Sequence, residues 1–152
     1  MEITDSDRRL LRILQADARL SNQELAEQAG MSASACWRRV KLLEDSGVIA
    51  GYPVTVDAEK AGLRFSAIVH LTLTRHETAH VSTIIARLVE RPEVLECFAT
   101  TGEADYHLRV VCRDKDAYND FLEKFLFGLP GLAHVRTNLV LKDIKLHSPL
   151  PV

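Results

Sequence analysis

Apolar residues recur along this chain at two different spacings, and the change falls near residue 50. Leu10, Ile13 and Leu14 lie three and four positions apart behind Thr4 and Asp7. That spacing predicts a helix opened by a capping box, in which hydroxyl and carboxylate each satisfy the other residue's backbone N–H. "SNQELAEQAG" repeats the device. Ser21 caps, Glu24 reaches back, Leu25 and Ala29 face inward, and Gly30 ends a short helix. Ser32 then caps a third helix with Cys36, Val40 and Leu43 as its buried seam and Gly47 as its end. A short helix, a glycine-bearing turn and a longer helix make the helix-turn-helix pattern. In "VIAGYPVTVD", Val48, Ile49, Tyr52, Val54 and Val56 follow in strand-like order with Gly51 and Pro53 as punctuation, which predicts a wing or linker strand between two domains.

Beyond residue 64 the spacing becomes two. Phe65, Ala67, Val69, Leu71 and Leu73 alternate with Ser66, His70, Thr72 and Thr74, the signature of a half-buried strand. Val81, Ile84, Ile85, Leu88 and Val89 return to helical spacing before Pro92. Strands follow around "VLECFATT" and "YHLRVVCR", joined by "GEAD". A helix then carries Tyr118, Phe121, Leu122, Phe125 and Leu126, and a last strand runs from Val135 to Leu141 after Pro130 and Gly131. The order βαββαβ is the ferredoxin-like plait. Both helices cover one sheet face, so Ile68, Phe98 and Leu139 are expected on an open apolar face that a second copy would cover. The class is therefore α+β, with a helix-turn-helix over 1–50, a linker strand over 51–64 and a ferredoxin-like domain over 65–152.

Composition narrows this little. Hydrophobic residues make up 47% and charged ones 26%, enough apolar material for a core, and the formal charge of −2 advertises no bulk affinity for nucleic acid. Local placement matters more: the third helix carries Arg38, Arg39 and Lys41 with no acid before Glu44. A recognition helix meets base edges with its N-terminal part, which makes Ser32, Ser34, Ala35, Trp37 and Arg38 the candidates for base or sugar contact. Arg38 suits a bidentate bond to guanine, and Arg39, Lys41 and the serines suit phosphates. Trp37 either touches DNA or pads the helix against the first one. A three-helix bundle with a solvated basic face, beside a metabolite-binding plait with no DNA role, is the competing reading. The three cysteines, Cys36, Cys97 and Cys112, stand among apolar residues without a C-x-x-C pair, as reduced core thiols do. No signal peptide or membrane span is expected, and the cytoplasm is the expected compartment.

One motif points elsewhere. Residues 76–80 read "HETAH", the H-E-x-x-H pattern of zinc peptidases. That chemistry needs both histidines in regular helix, a third protein ligand and an open coordination position. Here the motif falls where a strand hands over to a helix, and no downstream residue is arranged as the third ligand. Neither a metal nor a cofactor is expected, and no nucleophile–base pair marks an enzyme.

With both halves in view, "DRRLLRILQADARLSNQELAEQAGMSASACWRRVKLLEDSGVIAGY", "TGEADYHLRVV" and "LPGLAHVRTNLVLKDIK" resemble the Lrp/AsnC family of feast/famine transcriptional regulators over nearly the whole chain. The resemblance implies a winged helix-turn-helix joined to an effector-binding domain, homodimers often assembled into octamers on the nucleoid, and control of amino-acid metabolism. It implies an amino-acid effector held near the G-x-x-D-Y turn and the last strand, by Thr101, Gly102, Glu103, Asp105, Tyr106, Thr137, Asn138 and Val140. The chain departs from the pattern at Ala33 and Ala35, where family members commonly show a proline, and at Glu103 and Ala104 within the turn.

Overall fold

The computed structural model describes residues 2–74, 81–146 and 148–152. The chain divides into two compact units, Met1–Thr55 with Ile144–Val152, and Val56–Asp143.

In the first unit, α1 (Asp5–Ala16), α2 (Asn22–Ala29) and α3 (Ala33–Asp45) form around Leu10, Leu25, Ala26, Ala29 and Cys36. The local signals act as expected. Thr4 and Asp7 form the capping box of α1, Ser21 and Glu24 that of α2, and the Ser32 hydroxyl accepts from the Ala35 N–H. Gly30 takes the left-handed conformation, φ 69° and ψ 42°, that ends α2 and turns the chain into α3. Two side chains fix this turn: Arg9 Nη1 donates to the Ala29 carbonyl at 3.0 Å, and Asn22 Nδ2 to the Ala33 carbonyl at 2.9 Å.

Two expectations change here. Residues 48–64 form no strand, and Val54 and Val56 are exposed. A strand needs a ladder partner. Residues 58–62 close into a turn through the Ala61 and Leu63 N–H groups, and the extended segment 50–57 has no such partner. Its anchor is the Tyr52 hydroxyl, which donates to Glu44 Oε1 at 2.9 Å. Burial and the Glu44 carboxylate push the Tyr52 phenol up to about 12. The second change is the boundary at 152, because the last nine residues belong with the helices. The Gln15 carboxamide accepts from the Leu150 N–H at 2.6 Å and donates to the Leu150 carbonyl at 3.3 Å, while Arg12 Nε donates to the Val152 carbonyl at 2.6 Å. Pro149 and Pro151 have no N–H. Gln15 thus takes the one backbone donor that residues 149–151 possess.

The second unit is the expected plait: β1 (Phe65–Leu73), α4 (Val81–Val89), β2 (Val94–Ala99), β3 (Tyr106–Cys112), α5 (Lys115–Lys124), a 3-10 turn at Leu126–Gly128 and β4 (Leu132–Leu139). The sheet is antiparallel with strand order β2-β3-β1-β4. Ala67, Val69 and Leu71 of β1 and Leu108, Val110 and Cys112 of β3 share a core with Ile84 and Leu88 of α4 and Tyr118 and Phe121 of α5. Val89 turns outward instead of joining that face.

Register decides what the other sheet face carries. Directly paired residues point the same way. Ile68, His70, Arg109, His107, Phe98, Arg136 and Asn138 therefore lie on the open face, opposite the core set. Leu139 pairs with buried Ala67, so it belongs to the helix side, against the expectation that it joins Ile68 and Phe98. The open face is more polar than expected. Its His70 ring meets His107 edge-on at 4.6 Å, and both His70 nitrogens are buried without a hydrogen-bond partner among the described residues. Burial, then His107 and Arg136, hold His70 below the usual histidine range.

Candidate functional site

The first candidate surface is α3. Its inward side carries Cys36 and Leu43, both fully buried, and half-buried Val40. Ser34, Trp37, Arg38 and Lys41 follow at i, i+3, i+4 and i+7, all exposed, so they line one outward stripe. Ser32 and Ser34 stand at the helix start with their hydroxyls 3.3 Å apart. Ala35 is half-buried. Trp37 is 62% exposed and does not pad α1. Arg38 has no hydrogen-bond or ion-pair partner among the described residues. Lys41 pairs with Asp45 at 3.0 Å and Glu44 at 3.8 Å on its own helix. Such exposed pairs, screened by water and salt, contribute little and leave the ammonium available.

Arg39 is placed differently from its expected role as a phosphate contact. Its Nε donates to Asp7 Oδ1 at 2.8 Å and its Nη2 to Asp7 Oδ2, a two-pronged bond from α3 to α1. The Asp7 side chain is completely buried. The same carboxylate accepts from the Thr4 N–H at 2.9 Å and hydroxyl at 2.6 Å. Arg39, then the Thr4 donors, hold the Asp7 carboxyl down at about 2 against the burial that would raise it. Arg39 is a strut that sets the recognition helix against α1. Sequence reasoning found Asp7 as a cap and missed its second bond, which spans a separation of 32 residues.

The second candidate surface is the turn between β2 and β3. Gly102 adopts φ 124°, a conformation that side chains disfavour. Asp105 ties the turn to the end of β1, its N–H donating to the Leu71 carbonyl at 2.9 Å and its Oδ2 accepting from the Leu73 N–H at 2.7 Å. The Thr72 hydroxyl donates to the Glu103 carbonyl at 3.3 Å, and Arg136 Nη1 reaches Glu103 Oε2 at 3.4 Å. Thr101, Glu103 and Asp105 are exposed, and Tyr106 is half-buried opposite Leu71.

The last strand does not bring its three candidates to that turn. Val135 lies beside Leu71, Thr137 beside Val69, and the Val140 N–H donates to Ser66. At the strand rise, Thr137 and Val140 stand about 7 and 16 Å further along β1. Thr137 points to the helix side, its hydroxyl 2.5 Å from that of Tyr118, while Asn138 points to the open face. The eight expected effector residues thus form no single cavity within one protomer. Arg136 and Thr72, which sequence reasoning passed over, are the neighbours of the turn. Nothing in the sequence marks Arg136, because its place opposite His70 depends on the register of β4 on β1.

The remaining motif candidates are quickly placed. "HETAH" lies outside the described residues. Among the described residues no group of three or more His, Cys, Asp or Glu could hold a metal ion. Cys36 and Cys112 are buried and Cys97 half-buried, all as free thiols pushed up by burial. No described helix is long and apolar enough to cross a membrane.

Residues 3–50 match the family model for a winged helix-turn-helix DNA-binding domain, and residues 66–150 match that for the Lrp/AsnC ligand binding domain. The chain belongs to the Lrp/AsnC family. This Lrp/AsnC chain is 36% identical over 146 residues to the DNA-binding transcriptional activator DecR of Escherichia coli, covering 96% of each chain. It is also 36% identical over 151 residues to the Bkd operon transcriptional regulator of Pseudomonas aeruginosa, covering 99% of each. A transcriptional regulator of Neisseria meningitidis, solved as its L-Met complex, superposes with a TM-score of 0.94 at 33% identity, over 99% of this chain and 97% of that one. The chain is thus a DNA-binding transcriptional regulator of the Lrp/AsnC type, with a helix-turn-helix unit and a ferredoxin-like ligand-binding unit.

Proposed function

We propose that this regulator reads its operators with the outward stripe of α3 and answers to an amino acid held at the β2–β3 turn, whose binding shifts the assembly of homodimers into larger rings. The observation that carries the DNA part is the stripe itself, Ser34, Trp37, Arg38 and Lys41, with Arg38 unpaired and Arg39 withdrawn into the fold. A guanidinium with nothing else to bind is suited to a guanine edge in the major groove. Arg38→Ala is expected to lower the ratio of operator to random-duplex affinity by about tenfold or more while the salt slope of both stays steep. Fluorescence anisotropy of the full chain across a salt series measures both. Equal weakening on operator and random duplex would reduce Arg38 to a phosphate contact.

The effector part rests on charge. An α-amino acid needs donors for its carboxylate and an acceptor for its ammonium, and the turn carries the Asp105 carboxylate and sets the Arg136 guanidinium beside the Glu103 carboxylate. The L-Met complex of the Neisseria relative supports ligands of this class. Thr137, Asn138 and Val140, displaced along β4, would join the site only where another protomer brings them up to the turn. That makes the site a contact between copies, and a ligand there shifts assembly only by its different affinity for the two states.

The dimer itself uses the open sheet face, where Phe98 is 54% exposed and the His70 nitrogens lack partners among the described residues. Phe98→Asp is expected to convert the smallest assembly seen by sedimentation equilibrium to a monomer. A dimer that persists unchanged would move the interface elsewhere. As the family resemblance implies, the regulator controls amino-acid metabolism in the cytoplasm, on the nucleoid; relatives named a leucine-responsive regulatory protein and a glutamate uptake regulatory protein support the amino-acid part of that reading.

A further inference from the structure

We infer that Trp37 is a thymine reader: its indole meets the methyl group of a thymine next to the base bound by Arg38, and so selects the half-site. The inference rests on the proposed entry of α3 into the major groove and names what that helix recognises there. Trp37 is the sole tryptophan of the chain. It is 62% exposed in the N-terminal half of a 13-residue helix. Nothing in the first unit accounts for it. The seam that packs α3 lies on the other side, at Cys36 and Leu43, and among the described residues no ring, cation or hydrogen-bond acceptor engages the indole. An aromatic of this size normally buries 150–250 Å², so leaving most of it in water is a cost that a bound partner would remove.

Its neighbours say which partner. Ser34, Arg38 and Lys41 share the stripe, and two cations with a hydroxyl bring this surface to phosphates rather than to an apolar protein face. Inside the major groove the base edges offer donors, acceptors and one apolar group, the thymine methyl, with the thymine O4 acceptor beside it. An indole is apolar over its rings and carries a single N–H that donates and cannot accept. Thymine matches both features. Cytosine matches neither, since it has no methyl and presents an amino donor toward a side chain that is itself only a donor.

The test uses the full chain and duplexes that it selects from a random pool. Each thymine of the selected half-site is replaced in turn by 2′-deoxyuridine, which lacks only the methyl. One symmetric position is expected to weaken wild-type binding about threefold to tenfold, the scale of one buried methyl contact. Trp37→Ala should bind the thymine and uracil duplexes equally, and Trp37→Phe, which keeps the apolar contact, should recover part of the difference. The exposed position makes both variants compatible with folding, and wild-type tryptophan fluorescence should shift on adding duplex. Sequence-selective binding with equal affinity for every uracil duplex, or an unchanged ratio in Trp37→Ala, would overturn the role of Trp37 alone. A pool with no enriched sequence would overturn the DNA reading beneath it, and the thymine contact with it.

Discussion

Replacing Arg39 by alanine is expected to destabilise the DNA-binding unit by about 3 kcal/mol, enough to remove most of the stability of a small helical unit. The reason lies in what remains. Asp7 is fully buried, and without the guanidinium its carboxylate keeps only the Thr4 N–H and hydroxyl. Removing Asp7 instead leaves Arg39, whose side chain is 25% exposed and can turn to water. Asp7→Ala should therefore cost less than Arg39→Ala. Replacing both by apolar residues of similar volume should recover much of the loss, because the penalty belongs to an unpaired buried charge. Thermal unfolding followed by circular dichroism of the four proteins decides this. Near-equal melting temperatures would show that the pair contributes nothing.

The same pair sets an acid limit. Asp7 is held at about 2 in the folded protein, below the 3.8 of a free aspartate. A carboxyl with a depressed folded value stabilises fully above its unfolded value. That contribution, on the order of 2 kcal/mol, is lost as the pH falls from about 4 toward 2. Wild type should lose stability across this window more steeply than the doubly apolar variant. Parallel pH curves would contradict the assignment.

Asp105 gives the second large effect, because it has two separable duties. Its Oδ2 accepts from the Leu73 N–H, which locks the turn to β1, and its charge is part of the anionic half of the proposed effector site. Asp105→Asn keeps an acceptor for Leu73 and removes the charge, whereas Asp105→Ala removes both. An amino acid at about a hundred times its dissociation constant adds roughly 2.7 kcal/mol to wild-type stability. A thermal-shift panel of the twenty amino acids should show one chemical class of hits. Asp105→Asn should lose those hits with its own melting point nearly unchanged. Asp105→Ala should lose the hits and in addition about 0.5–1.5 kcal/mol of stability, the net contribution of one hydrogen bond whose donor water can reach. Full retention of the hits in Asp105→Asn would remove the carboxylate from the effector site and leave it as a turn lock.

The helices and strands of this chain were legible because their signals are short-range. Thr4 with Asp7, Ser21 with Glu24, and Gly30 act within a single turn of helix, and the period of two around Ala67, Val69 and Leu71 follows from the strand's own pleat. The failures have a common cause. The expected strand at 48–56 has the right alternation and no ladder partner, and pairing is not a property of one segment. Strand pattern alone puts Leu139 on the open face, yet a side change needs only one residue of register, and its pairing with Ala67 sets it on the helix side. Thr137 and Asn138, which the resemblance implies together for the effector site, are neighbours in β4 and so point to opposite faces, which only the register shows.

By itself, then, the sequence determined the order of the helices and of the four plait strands, the two-part architecture and the position of the recognition helix from periodicity, caps and local motif, and pointed to the family through resemblance over its longer stretches. Only the tertiary structure decided that Arg39 is a strut while Arg38 has no partner among the described residues, that Leu150 and Val152 bond to α1, and that Arg136 faces the turn while Thr137 does not. Each of these depends on segments far apart in the chain coming within hydrogen-bond distance. A charge or a carboxamide carries no mark of which distant partner it will meet until packing has placed both.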